Sequence, residues 1–484
     1  MAKMYINGEW VDAQSGVTTE IRNPSNGAVI DTAPSGDARD AAAAVESAKN
    51  AFKAWAATAV EERARLINKG VALVKEQIKD LAGLLTKEQG KPFMESMGEI
   101  NHFLHGMEFY AGLATKVRGQ QVPLPPSMNP NSYGVIMKQP VGVCAGIVPW
   151  NFPITLMGTK VGPAMVAGCP IIIKPASSTP LTTLKIIGLL NEAGIPPGAL
   201  NCVVGSGSTL GEALVKHSDV RRVALTGSSE TGKSVMQLAA PYFKRVTLEL
   251  GGSDPMIVCP DADISKAVSG AMIGRYWNAG QACLAVKRLY LFEEIYDEFV
   301  EKLVAKVGRY EPGDGMSKAE KPFIRMGPLH TAAQRDEVEA QLKDAVDKGA
   351  EVLVGGNRPD GMSEGHFFKP AVVANVNETS KLVTEEVFGP VLPVFKVTEL
   401  DEAIAKANNT EWGLGASIWT NNMKYANKAA REIQSGMLWV NQLHFGYDEM
   451  PFGGIKASGI GHEHGPEALD YYFEPKSVVF GGLE

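Results

Sequence analysis

VGVCAGIVP (141–149), CPIIIKPA (169–176), LNCVVGSG (200–207), RRVALTG (221–227) and RVTLELGG (245–252) are five short apolar runs that follow one another along the chain. Segments of helical length separate them, starting near Ile154, Pro180, Ser208 and Thr231. Continuous apolar runs suit strands buried on both faces. Strands that alternate with helices predict right-handed βαβ units and a parallel sheet. A second α/β series runs from about 254 to 450, through PMIVCP, a helix, KRLYLFEE, the amphipathic YDEFVEKLVAKV, EVLVGG, ASIWT and GMLWVN. Upstream, residues 37–56 predict an amphipathic helix with Val45, Ala48, Phe52 and Trp55 near one face. A second helix is predicted over about 60–89, with Gly90 as its C-cap. QQVPLPPSMNPNSYG (120–134) breaks the pattern as a loop or hairpin tip, and YYFEPKSVVFGG (471–482) predicts a strand.

The chain has 484 residues, enough for two or three domains of ~100–200 residues each. Its net charge is −7 with no basic block, which argues against a nucleic-acid partner. Five scattered cysteines without a CxxC pair predict reduced thiols in a cytoplasmic protein. MAKMYINGEW lacks the apolar core of a signal peptide, and the apolar runs are too short for a bilayer, so no membrane partner is expected.

Three glycine-rich segments compete for the chemistry. Gly205-Ser-Gly207-Ser-Thr-Leu-Gly211 follows a strand and precedes a helix, as a dinucleotide loop does. Leu210 stands where the third glycine belongs, so a plain strand-to-helix turn fits equally. Gly227-Ser-Ser-Glu-Thr-Gly232-Lys233-Ser234 satisfies the P-loop pattern and raises the alternative of a P-loop NTPase. MIVCPD is a poor Walker-B strand, however, and both readings need only phosphate at a helix N-terminus. The third is Glu249-Leu-Gly251-Gly252 together with Gly280-Gln281-Ala-Cys283. Small neighbours give a thiol access, and a thiol with a nearby base is what covalent catalysis requires. Cys144, Cys169, Cys202 and Cys259 lie in or beside apolar runs and read as core residues.

With these segments in place the sequence resembles the aldehyde dehydrogenase superfamily over nearly its whole length. The resemblance rests on Pro149-Trp150-Asn151-Phe152-Pro153, Lys174-Pro175-Ala176, Glu249-Leu-Gly-Gly, Gly280-Gln-Ala-Cys283, Glu386-Val-Phe388-Gly389-Pro390, and Pro451-Phe452-Gly453-Gly454 with Lys456-x-Ser458-Gly459, in the family's order. It implies an α/β protein in three parts. A Rossmann-like cofactor domain would comprise 1–119 and 141–252, an α/β catalytic domain 253–451, and a small β oligomerisation domain 120–140 and 465–484. A homo-oligomer, dimer or tetramer, follows from it.

The resemblance also implies an NAD(P)-dependent, metal-free oxidation of an aldehyde to a carboxylic acid. Cys283 would be the nucleophile, with Asn151 and the Cys283 N–H holding the oxyanion. Glu249 would be the general base that hydrolyses the thioester, with Lys160 and Glu463 as a proton relay behind it. Its presence favours hydrolysis over acyl transfer to coenzyme A. The implied cofactor set is Trp150, Lys174, Ala176, Ser177, Gly207, Gly211, Thr226, Gly227, Ser228, Leu250, Glu386 and Phe388. Many NAD-preferring members carry Glu where Ser177 stands. Without that carboxylate a 2′-phosphate meets no repulsion, so NADP is expected to be preferred and NAD accepted. For the substrate, Thr159 stands where succinate-semialdehyde members tend to have Arg. Leu156, Thr159, Leu284, His444, Phe445 and Tyr447 are the expected tunnel residues. Neutral aliphatic, hydroxylated or aromatic aldehydes are expected, with a succinate-semialdehyde-type enzyme as the alternative.

Overall fold

The structure, a computed structural model, describes residues 1–125, 132–317 and 326–481. The five opening runs form Val143–Ile147, Ile171–Lys174, Leu200–Cys202, Val220–Thr226 and Arg245–Glu249, parallel throughout. Val143–Ile147 lies in the middle. The next two strands build toward one edge and the last two toward the other. Strand order therefore reverses between Val143–Ile147 and Val220–Thr226, and the crevice outside their carboxyl ends is the natural ligand site of such a sheet. Antiparallel strands extend both edges: Met4–Ile6 and Glu9–Val11 on one side, Gly459–Ile460 on the other. Gly459–Ile460 belongs to the stretch 452–464, far along the chain from the sheet it completes.

Asp37 starts the helix Ala38–Ala57 with a capping box: its carboxylate accepts from Arg39 N while Asp40 accepts from Asp37 N. Val45, Ala48 and Trp55 are buried there and Phe52 is half-buried. The single helix predicted over 60–89 is two helices, Val60–Glu76 and Ile78–Gln89. Gln77 turns the axis, and Val74 and Leu81 are buried on either side of it. Gly90 ends the second helix in the left-handed conformation. The helix Phe93–Leu113 was not predicted. Its buried residues include Ser96 and Glu99 while Met94 is exposed, so polarity does not track burial and no clean stripe marks it.

The second sheet runs Glu351–Val354, Ala371–Ala374, Val391–Val397, Val286–Phe292, Asp254–Val258, Gly415–Trp419, Met437–Val440. It is parallel except at Glu351–Val354. Ala371–Ala374 and Val391–Val397 are absent from the sequence reading. Pro390 and Pro393 mark the latter as a loop by rule, yet it sits inside the sheet. Each sheet has its own apolar core. One gathers residues from Met4 to Leu250 with Ala468, Leu469, Tyr472 and Phe473, and the other spans Met256 to Ala429.

A third sheet joins Gln120–Pro123, Tyr133–Pro140 and Phe473–Phe480, with Phe473 opposite Pro140 and Phe480 opposite Tyr133. The hairpin tip expected in the Pro-rich segment includes 126–131, outside the described residues. Val479 and Phe480 on the last strand are exposed. Among the described residues no helix is long and apolar enough to cross a membrane.

Candidate active site

A cavity of about 380 Å³ opens at the switch point of the first sheet. Pro149, Trp150 and Asn151 line it from beyond Val143–Ile147, and Thr226, Gly227 and Ser228 from beyond Val220–Thr226. Leu250, Cys283, Glu386 and Phe388 complete the predicted residues on its wall. Ser228 caps the helix Ser229–Ala239, its hydroxyl accepting from Thr231 N, so free N–H groups at that end face an anion site. Trp150 stacks on His330 with ring centroids 4.6 Å apart and meets Phe388 edge-on at 5.6 Å. Burial pushes His330 down to about 4, so its ring is neutral near pH 7.

Cys283 sits at the inner end, in a strained loop. Asn278, Ala279 and Gly280 are consecutively left-handed, which costs a non-glycine residue about 1–3 kcal/mol. At Gly280 a Cβ would overlap the Gly389 carbonyl, so only glycine fits. Lys287 Nζ donates to the Cys283 carbonyl at 2.6 Å, to the Ala282 carbonyl at 3.0 Å and to Glu386 Oε1 at 2.9 Å. Glu386 Oε1 also accepts from Gly252 N at 3.1 Å. Asn151 Nδ2 donates to the Gln281 carbonyl at 3.2 Å, which sets the amide beside the reactive loop. Behind it, Lys91 donates to the Asn151 carbonyl at 2.7 Å and pairs with Glu99, both wholly buried. Burial pushes the Cys283 thiol up to about 12, with Lys287 opposing and the Glu386, Asp254 and Glu249 charges reinforcing.

Glu249 ends its strand fully inside the protein, and neither carboxylate oxygen has a hydrogen-bond partner among the described residues. Burial, then the charge of Glu463, raises it well above the usual carboxylate range, and Lys160 opposes this. Lys160 Nζ lies 2.7 Å from Glu463 Oε1 and donates to Thr226 Oγ1 at 2.7 Å. Thr159 Oγ1 donates to Glu463 Oε2 at 2.6 Å. An uncommitted buried base thus lies next to an ion pair that can take or return a proton.

Lys174, Ala176, Ser177, Gly207 and Gly211 lie off this cavity, beyond the carboxyl ends of Ile171–Lys174 and Leu200–Cys202. Lys174 Nζ is buried with a single hydrogen bond, to the Pro175 carbonyl at 3.1 Å, and burial pushes it down to about 8. Ser177 Oγ donates to the Gly205 carbonyl at 2.8 Å. Gly207–Gly211 is a π-helical turn, with Leu210 fully buried. The extra residue that spoiled the glycine spacing is absorbed by this wider turn. An ammonium buried with no ion-pair partner among the described residues, a helix N-terminus and two aromatic walls together fit an adenine dinucleotide.

The sequence model of the aldehyde dehydrogenase family matches residues 10–478. The chain belongs to this family. It is 40% identical over 472 residues to glutarate-semialdehyde dehydrogenase of Pseudomonas putida, covering 98% of this chain and 96% of the relative. It is 37% identical over 476 residues to succinate-semialdehyde dehydrogenase [NADP(+)] GabD of Escherichia coli, covering 98% and 97%. A solved structure of 3,6-anhydro-L-galactose dehydrogenase in complex with NAP superposes with a TM-score of 0.95 at 39% identity, covering 99% of this chain and all of that one.

The P-loop alternative is overturned in this aldehyde dehydrogenase. Only Gly227 and Ser228 of the motif reach the cavity. Gly232 packs against Leu250, and Lys233 is exposed and paired with Glu230 at 2.9 Å. Of the expected tunnel residues, none lines this cavity, and two are buried in contacts of their own. His444 is buried, with Nδ1 on the Leu284 carbonyl at 3.0 Å and its ring stacked on Trp439. Thr159 is buried against Glu463. Leu156, Leu284 and Phe445 are half-buried and Tyr447 is exposed. Lys287, Lys91, Glu99, His330 and the cavity-lining Gln334, Glu337 and Gln341 escaped sequence reading. Lys287 lies four residues after Cys283 at the head of an apolar run, and that spacing was the available signal.

Proposed function

We propose that this enzyme oxidises an aldehyde to its carboxylic acid with NADP, and with NAD less readily, by covalent catalysis on Cys283. The observation that supports this best is the buried Glu249 carboxylate, which has no hydrogen-bond partner among the described residues and whose charge is felt at the Cys283 thiol. The Cys283 thiolate forms an S–C bond to the carbonyl carbon. Asn151 Nδ2 and the Cys283 N–H hold the resulting oxyanion. When bound, the nicotinamide supplies the acceptor for the hydride that leaves this carbon. The thioester left on Cys283 is attacked by water, Glu249 takes the water proton, and the C–S bond breaks to release the acid. Lys160 and Glu463 relay that proton outward through their ion pair. Lys287 is a positioning residue that fixes Cys283 and Glu386 relative to one another.

Lys174, with no carboxylate at Ser177, favours the NADP 2′-phosphate. Phe152, Trp277 and Phe445 form a ring chain with centroids 4.8 and 5.3 Å apart, flanking Asn151 and the Cys283 loop. Such walls suit neutral aliphatic, hydroxylated or aromatic aldehydes. The semialdehyde reading is favoured by the two relatives named above. NADPH formation over a panel of benzaldehyde, hexanal, glyceraldehyde, and succinate and glutarate semialdehydes tests it. A dominant kcat/KM for the semialdehydes would replace the neutral class.

We assign 1–119 and 141–252 to the cofactor domain, 253–451 to the catalytic domain, and 120–140 with 465–484 to oligomerisation. In this reading the open edge of Phe473–Phe480 adds to a second copy, giving a cytoplasmic homo-oligomer, dimer or tetramer.

A further inference from the structure

We propose that His102, Asp448 and His464, with His105 as a fourth ligand, bind one divalent transition-metal ion of the zinc class. His464 Nδ1 lies 2.8 Å from Asp448 Oδ1 and His105 Nδ1 lies 2.6 Å from Asp448 Oδ2. His102 Nε2 is 3.7 Å from the same Oδ2. One ligand atom from each of His102, Asp448 and His464 falls within 4.8 Å of the others. Zinc bonds of ~2.0–2.2 Å in a tetrahedron set ligand atoms about 3.3–3.6 Å apart. The observed separations bracket that edge, so small side-chain rotations close the shell. Here both Nδ1 atoms stand at hydrogen-bond distance from the Asp448 carboxylate, so binding an ion moves their ring protons to Nε2 and turns the Nδ1 lone pairs to the ion.

The surroundings support a site rather than a chance cluster. His102 and His105 are three residues apart on the helix Phe93–Leu113 and share a face. Asp448 is buried in the segment beyond Met437–Val440, and His464 precedes the helix Gly465–Asp470. His464 holds φ 52°, ψ −178°, a conformation that favours glycine. A strained residue that keeps an imidazole is one whose side chain is wanted there. The His102 side chain is one-third exposed and that of His105 more than half, so an ion can enter from solvent. Glu449 Oε1, 3.9 Å from His105 Nε2, adds a second carboxylate at the rim. One carboxylate and three imidazole nitrogens are a donor set that suits a zinc-class dication. The reaction at Cys283 needs no metal. This ion instead ties the helix Phe93–Leu113 to segments next to Glu463 and Phe452.

The test uses full-length protein carrying Cys283→Ala, so that the reactive thiol cannot report binding. Zinc alone is titrated calorimetrically, and cobalt is added as a spectroscopic substitute. One ion per chain is expected, with a histidine- and carboxylate-type cobalt spectrum. His464→Gly removes a ligand and relieves the backbone, so it folds while losing roughly 100-fold in affinity. His105→Ala on the exposed helix face loses roughly 10-fold. A chain that takes up no stoichiometric zinc overturns the proposal. So does affinity unchanged in both His464→Gly and His102→Ala.

Discussion

The two large sheets face the same cavity from opposite ends of their strands. The first offers carboxyl ends: Val143–Ile147 leads to Asn151, Val220–Thr226 to Ser228, and Arg245–Glu249 ends on the base. The second offers amino ends: Cys283 precedes Val286–Phe292, and Glu386 and Phe388 precede Val391–Val397. Its own switch point, beyond the carboxyl ends of Asp254–Val258 and Gly415–Trp419, is bridged by hydrogen bonds. There Asp261 accepts from Thr420 Oγ1 at 2.8 Å and from Asn421 N at 2.9 Å. The first sheet thus opens its switch point into the cavity, with the N-terminus of the helix Ser229–Ala239 beside it. The second bridges its switch point and brings Cys283 on a strained loop. The thiol and the helix N-terminus at Ser228 sit on different sheets, so each is open to attack without the other.

The sharpest way to break this division is Cys283→Ala. It is expected to lower kcat by roughly 10⁴-fold or more while leaving NADP affinity, read by NADPH fluorescence titration, unchanged. A parallel loss of affinity would mean the two sheets do not act separately. Glu249→Gln comes next, with kcat down roughly 10²–10⁴-fold. Its folded-state carboxyl is raised, so in the wild type the base is active only as pH rises through that value, and kcat climbs with it. Stability runs the other way. The stabilising contribution is full below the unfolded value and is lost as pH rises through the raised folded one. Glu249→Gln should therefore flatten the pH–rate profile and unfold at a higher Tm than wild type at alkaline pH. Asn151→Ala removes one oxyanion donor from the carboxyl-end side and should cost about 10²–10³-fold in kcat, with KM for the cofactor little changed.

How legible each sheet was follows the same division. The first sheet was legible because its strands are unbroken apolar runs and its turns carry glycine and Ser228 at fixed offsets. Only its π turn at Gly207–Gly211 distorted the pattern. The second sheet was legible only in part. Pro390 and Pro393 hid Val391–Val397, and the spacing of Lys287 from Cys283 says nothing of Glu386, which it also holds. Glu249 and Cys283 stood out by their small neighbours. The family resemblance assigned their roles, and the absence of any partner on Glu249 is visible only in three dimensions. Thr159 and His444 show the same limit: spacing places a residue on a helix or loop, but packing against Glu463 and Trp439 decides what its side chain touches.

Ser177→Glu gives the smallest expected effect and probes the edge of the binding sheet. Ser177 Oγ donates to the Gly205 carbonyl, in the turn between Leu200–Cys202 and the π-helical segment, and Lys174 stands beside it with no ion-pair partner among the described residues. A carboxylate there would pair with Lys174 and repel a 2′-phosphate while accepting from ribose hydroxyls. Charge repulsion across an aqueous crevice of this kind is worth about 1 kcal/mol, or roughly 5–10-fold. The ratio of kcat/KM for NADP over NAD should fall by that factor, through KM alone, since neither Cys283 nor Glu249 is touched. A change in kcat at saturating cofactor would show that the adenosine end of the first sheet communicates with the strained loop of the second.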